Sequence, residues 1–327
     1  MQRSYTRGMS KTPLLVTGLP RSGTSWTGKM LEASRQVVYI NEPMSLSRPP
    51  GGSPGVLDAP VRHRFQYIDP GDDAEWRRAF SDTLRLRFHP WRELRSVRHP
   101  YHLARGTKYG FEFALGSLRG KRAMLDDPNA LFSSAWLTET MGVRTVIVVR
   151  DPVGLIGSWR TLNWRPRLEA LLAQPALTRD HLDGMVAGIG AAIDSGDWIE
   201  QMCCLWNVGH RFIDSVGNDL EGVTIRRYED LASEPIEQYR SLYDWCGLEW
   251  STAAEESIED ATTAPSAPSR AFSWSLKGGL SRTAFQRIDS RASVNRPEQR
   301  LDPTEIERIR ERTDHVLALF PRVVDRL

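Results

Sequence analysis

Residues 14–25 read Leu-Leu-Val-Thr-Gly-Leu-Pro-Arg-Ser-Gly-Thr-Ser, and they restrict the fold more than any other stretch of the 327-residue chain. The apolar run Leu14–Gly18 closes on a turn signal and reads as a buried strand. The turn Leu19–Thr24 leads into Ser25–Ala33, where Trp26, Met30 and Leu31 recur at helical spacing. The alternation continues along the chain. Val37–Ile40 reads as a strand stopped by Asn41-Glu42-Pro43, and Arg122–Leu125 as a strand ending in Asp126-Asp127-Pro128. Leu131–Met141 has a helical pattern. Thr145–Arg150 is β-branched and apolar, the profile of a strand covered on both faces. Asp151-Pro152 opens a helix to about Trp159, with proline at the first turn. A long helix over Ser195–Val216, a strand over Val223–Tyr228, a helix from near Ser233 and a terminal helix over Pro303–Phe320 complete the pattern. Strands alternating with helices predict a three-layer α/β/α domain around a central parallel sheet, one domain over residues 1–327. Ligands of such sheets bind at the carboxyl ends of the strands. Four strand ends here are polar: Arg21 to Ser25, Asn41-Glu42, Asp126-Asp127 and Arg150-Asp151.

The other segments are less regular. Residues 45–60 are rich in Ser, Pro and Gly and read as a loop. Residues 61–110 are polar and arginine-rich, expected to be irregular with some helix, and 261–300 look loop-like. The 43 basic and 41 acidic side chains leave a net charge of +2, which argues against bulk nucleic-acid binding and polybasic membrane docking. An anionic ligand must then be held by local geometry. Only five of the basic residues are lysine. The three cysteines, two of them adjacent, give neither a disulfide framework nor CxxC metal spacing, so a reducing, cytoplasmic setting is expected. No apolar run approaches the ~20 residues of a membrane span, and the first residues carry no signal-like apolar core.

Gly18-Leu19-Pro20-Arg21-Ser22-Gly23-Thr24-Ser25 lies between strand and helix, the context a phosphate-binding loop requires. Backbone N–H groups of the turn and helix N-terminus can point at one oxyacid group, and Gly23 permits close approach. Thr24 stands where a nucleoside-triphosphate loop carries lysine, and the cation, Arg21, sits inside the loop. A second anion motif is Val148-Val149-Arg150-Asp151-Pro152 with Ser158 two turns into the next helix. Arginine suits a fixed phosphate through its planar fork.

Leu19-Pro20-Arg21-Ser22-Gly23-Thr24-Ser25-Trp26 resembles the 5′-phosphosulfate loop of sulfotransferases that use 3′-phosphoadenosine 5′-phosphosulfate (PAPS), in particular carbohydrate-type and bacterial members. The resemblance covers most of residues 12–250, and the stretch 45–110 has no clear match. It implies a phosphate-loop-like fold with a donor-binding core in 12–42 and 120–250. Segments 43–119 and 251–300 would then serve the acceptor side and a lid, and 301–327 would hold a C-terminal helix. Arg21, Ser22, Gly23, Thr24, Ser25 and Trp26 would hold the 5′ end of PAPS, and Arg150 and Ser158 the 3′-phosphate. Tyr228, in Arg227-Tyr228-Glu229-Asp230-Leu231, would lie near the adenine. Lys277-Gly278 loosely resembles the segment that closes over the 3′-phosphate. Leu125-Asp126-Asp127-Pro128 departs from bacterial members, which often carry lysine where Asp126 stands. The general base is expected to be Glu42, with Asp127 next and then His63, His99 or His102. No metal is required. The acceptor would be a small molecule or carbohydrate with a free hydroxyl, as in secondary metabolism. Trp91, Trp159, Trp164 and Trp274 are candidates for its cleft, with core packing the commoner use of such residues. A nucleotide kinase and a non-catalytic donor-binding homologue are the alternatives.

Overall fold

The structure is a computed structural model and describes residues 12–46, 57–91, 100–262 and 301–320. Five strands, β1 (Leu14–Thr17), β2 (Val37–Asn41), β3 (Arg122–Asp126), β4 (Arg144–Val149) and β5 (Val223–Arg227), form one all-parallel sheet in the order β2-β3-β1-β4-β5. In the register, Val16 lies opposite Asp126 on one side and Val146 on the other. The helices in chain order are α1 (Thr24–Glu32), α2 (Ala74–Leu84), α3 (Pro100–Leu118), α4 (Ser134–Met141), α5 (Pro152–Thr161), α6 (Glu169–Leu172) and α7 (Pro175–His181). They continue as α8 (Val186–Asp194), α9 (Trp198–Asp219), α10 (Tyr228–Ser233), α11 (Pro235–Cys246), α12 (Thr252–Thr262) and α13 (Pro303–Leu317).

Alternate side chains of the strands point to opposite layers. Leu14, Val16, Met124, Val146 and Val148 face one layer, where α1, α10, α11 and α12 supply Trp26, Leu31, Leu231, Tyr239, Leu242 and Ile258. On the other face Leu15, Ala123 and Leu125 pack under α2 to α4, and Ile147 and Val149 under α5, α9 and α13. Each fully buried Val, Leu or Ile contributes about 1.5–3 kcal/mol. Burial of the sheet on both faces therefore outweighs any single helix propensity in holding the fold. No helix among the described residues is long and apolar enough to cross a membrane.

The departures from expectation have local causes. The helix expected from Leu131 is split: Pro128–Ser133 forms a 3₁₀ turn capped by Asp127, whose side chain accepts from the Asn129 N–H, and α4 follows. The long helix starts at Trp198, because the Asp197 side chain accepts from the Ile199 and Glu200 N–H groups and sets the N-terminus. The region 61–110 contains α2 and the first half of α3, and three short helices, α6 to α8, fill 169–194. α13 begins with a capping box between Asp302 and Glu305.

Candidate active site

Gly18 turns the chain off β1 and presses on β4: a Cβ there would meet the Val148 carbonyl oxygen at 2.3 Å. The Ser22 N–H donates to the Leu19 carbonyl at 3.0 Å and closes the loop. Arg21 takes φ 79, a left-handed conformation that costs a non-glycine residue on the order of 1 kcal/mol. The first helical bond of α1 runs from the Thr27 N–H to Gly23 O, and no side chain caps the helix. The N–H groups of Gly23, Thr24, Ser25 and Trp26 therefore have no helical acceptor. In contrast, α5, α9 and α13 are each capped by an aspartate. The Ser22 N–H, expected among the groups that hold the 5′ end of the donor, is engaged instead by the Leu19 carbonyl within the turn. The Ser22 hydroxyl is buried without a partner.

The structure brings the second motif against this loop. Arg21 Nε donates to Ser158 Oγ at 3.0 Å, and Arg150 Nη1 donates to the Arg21 carbonyl at 2.9 Å. Ser158 is only 3 % exposed. The Arg150 guanidinium lies 4.4 Å over the Tyr228 ring. That ring also fits against Gly23 (φ 101), where a Cβ would come within 2.5 Å of it. Trp26 meets Tyr228 and Tyr239 edge-on, and its indole N–H is buried without an acceptor. The arrangement is braced from behind. Trp159 Nε1 donates to Pro20 O at 2.7 Å, and Trp206 Nε1 to Arg150 O at 3.1 Å. The Asp151 side chain caps α5 and accepts from Arg310, while its own N–H donates to Glu229.

The acidic residues stand at the ends of β2 and β3. Glu42 is half-buried at φ 47, with its N–H on Asp126 O at 2.8 Å. Asp127 is fully buried; Oδ2 accepts from the Met44 N–H at 2.5 Å, and Oδ1 from the backbone and side chain of Asn129. These contacts make it a clamp on the turn that carries Glu42. The Tyr39 hydroxyl donates to Asp126, and Lys29 Nζ sits 3.6 Å over the Tyr39 ring. Burial, then the Glu42 charge, pushes Asp127 up to about 7. Burial, opposed by the Tyr39 hydrogen bond and reinforced by Glu42, pushes Asp126 up to about 6.

Both shifts are upward, so each carboxyl favours the folded state most below its unfolded value and loses that contribution as pH rises through about 6 and about 7. A two-unit shift corresponds to on the order of 3 kcal/mol. Urea denaturation should find the protein less stable at about pH 8 than at about pH 5, with Asp126→Asn flattening part of that slope. Parallel slopes for the two proteins would show that Asp126 is ionised throughout.

His63 is part of the turn before Phe65, where its N–H donates to the Gln66 side chain. Lys277, Gly278, Trp274 and His99 lie outside the described residues, as does the side chain of His102. Trp159 is fully buried in the core, and Trp91 is 76 % exposed. The sequence reading did not find Arg64, whose guanidinium lies 5.0 Å over Trp159 and 5.6 Å over Trp164. Trp159, named in sequence as a cleft or core residue, is also a brace of the loop, whereas Trp206 and Arg310 carry no sequence signal of their bracing role. A tryptophan or arginine in a helix pattern carries no signal of the distant carbonyl or carboxylate that it meets.

No family model matches the chain, and no curated protein matches its sequence. Solved structures do. The sulfotransferase domain from the Synechococcus PCC 7002 olefin synthase aligns over 95% of this chain and 98% of its own, at 14% identity and a TM-score of 0.43. The sulfotransferase domain from the curacin biosynthetic pathway aligns over 93% and 97%, at 12% identity and 0.46. Retinol dehydratase in a complex with retinol and PAP aligns over 93% and 81%, at 13% identity and 0.40. At these identities and scores no residue's role passes from one protein to another; the chain is similar to these structures along nearly its whole length.

Proposed function

We propose that this protein is a sulfotransferase that moves a sulfuryl group from PAPS to a hydroxyl of a small-molecule or carbohydrate acceptor. The observation that carries the reading is the meeting of two cationic elements at one place: Arg21 on Ser158, and Arg150 on the Arg21 carbonyl. The residues fit a nucleotide with two anionic ends. An uncapped helix start and the buried, partnerless Ser22 hydroxyl favour one oxyacid group. Arg150 and Ser158 suit a second. Tyr228 and the unpaired Trp26 indole N–H suit an aromatic base with an acceptor. Thr24 leaves the loop without the lysine that a γ-phosphate needs.

The donor supplies the sulfuryl group, and transfer resembles phosphoryl transfer in passing through a loose, in-line transition state. Glu42 accepts the proton of the acceptor hydroxyl as the new O–S bond forms and the bond to the 5′-phosphate oxygen breaks. Arg21 and the N–H groups of Gly23 to Trp26 offset the negative charge that builds on the departing oxygen. Asp127 keeps the Glu42 turn in place. A thermal-shift comparison tests the reading. Adenosine 3′,5′-bisphosphate (PAP) should raise the Tm without Mg²⁺, and ATP with Mg²⁺ should not; the reverse order would point to a kinase.

A further inference from the structure

Arg64 is caged by three aromatic rings: Trp159 at 5.0 Å, Phe65 at 5.5 Å and Trp164 at 5.6 Å. Trp159 ties the cage to the donor loop through Pro20. The cage is held from several sides. Phe65 takes φ 59, and the Gln66 side chain accepts from the Arg62 and His63 N–H groups. Gln66 O accepts from Ser133, and the Gln174 amide bridges Phe65 O and the Tyr67 N–H. Arg167, at φ 49 in the loop between α5 and α6, brings a second guanidinium close enough to repel Arg64, and Glu42 attracts it.

Two other shielded arginines, Arg122 and Arg227, have their guanidinium groups on protein acceptors. Arg122 donates to Thr12, Cys246 and Gly247 carbonyls, and Arg227 to Phe320 O. Arg64 donates no hydrogen bond and makes no ion pair among the described residues, so its cage is built around a cation whose donors are left for something else. Burial and Arg167 both lower its pKa, and the charge of an added anion would offset both effects. Five donors in a planar fork match an oxyacid group.

We propose that Arg64 is an acceptor subsite for an anionic oxyacid group, so that the acceptor is a hydroxyl compound that also bears a carboxylate or a phosphate. The proposal rests on the sulfuryl-transfer reading, and its test separates the two. PAP-loaded protein is titrated calorimetrically with 4-(hydroxymethyl)benzoate, 4-(hydroxymethyl)phenyl phosphate and the neutral 4-(hydroxymethyl)benzamide. The anionic probes should bind at least about tenfold more tightly than the amide, the size of one charge-assisted hydrogen bond. The stronger of the two identifies the group. Arg64→Gln should erase the preference and leave PAP affinity unchanged, and Arg64→Lys should retain part of the preference. Equal binding or equal failure of the three probes, or a preference that survives Arg64→Gln, overturns the proposal. So does an Arg64→Gln loss of turnover that is the same for charged and neutral acceptors, which would place Arg64 on the sulfuryl group. If PAP does not bind, the donor reading fails, while the same titrations on the protein alone still decide the role of Arg64.

Discussion

Glu42→Gln is expected to lower kcat by about 10²–10⁴-fold, the usual contribution of a general base, with PAP affinity retained. The geometry behind this expectation is specific. Glu42 ends β2 in a left-handed conformation, next to Asp126 and Asp127 but more exposed than either. Asp127 has both oxygens engaged by Met44 and Asn129, and the Asp126 carboxylate lies under Tyr39. Glutamine keeps the shape and the backbone preference of glutamate, so the turn held by Asp127 should survive. A labelled-donor assay over a panel of hydroxyl acceptors measures kcat, and calorimetry measures PAP binding. Turnover that persists in the variant, or PAP binding that collapses, contradicts the assignment.

Arg21→Gln is expected to lower kcat by about 10²–10³-fold, the typical cost of removing one electrostatic donor from a transition-state cradle. Glutamine meets the same positive-φ penalty at this position, so the loss would report the guanidinium rather than the backbone. Arg21→Lys should recover only part of the activity. A lysine ammonium can place a positive charge in the loop, but it lacks the fork that reaches Ser158 Oγ through Nε. Equal kcat for the wild type and Arg21→Gln in the labelled-donor assay would remove Arg21 from the chemistry.

The parts of the fold legible in sequence were those specified over a few neighbouring residues. Strand β4 announces itself through an unbroken β-branched run, and the loop after β1 through its glycines and its place between a strand and a helix. Caps moved boundaries where one aspartate decided them, as Asp197 does for α9 and Asp127 for the turn before α4. Helices α6 and α7 are too short for a periodic pattern to emerge, and α8 carries Gly188 and Gly190 and buries only Ile189, so its sequence shows no apolar stripe. The site divides in the same way. Arg21, Gly23 and Ser25 follow from the loop motif, whereas the role of Asp127 depends on the Met44 N–H, 83 residues away. The contact between Arg21 and Ser158 spans 137 residues, so two motifs that read as separate anion sites share a wall only once the sheet aligns β1 with β4. Arg64 lies in a stretch without a motif, and nothing but tertiary packing places it over Trp159.

The claim on which the account depends is that one nucleotide is gripped at both ends, by the loop of Arg21 and by Arg150 with Ser158. Calorimetric titration of PAP and of adenosine 5′-monophosphate, which lacks the 3′-phosphate, tests it directly in the wild type, Arg150→Gln and Ser158→Ala. The wild type should prefer PAP by about 10- to 100-fold, as expected for charge-assisted hydrogen bonds to one phosphate, and each variant should shrink that preference by weakening PAP binding more than binding of the monophosphate. Equal affinity of the wild type for the two nucleotides, or a preference for PAP untouched by either substitution, would contradict the account.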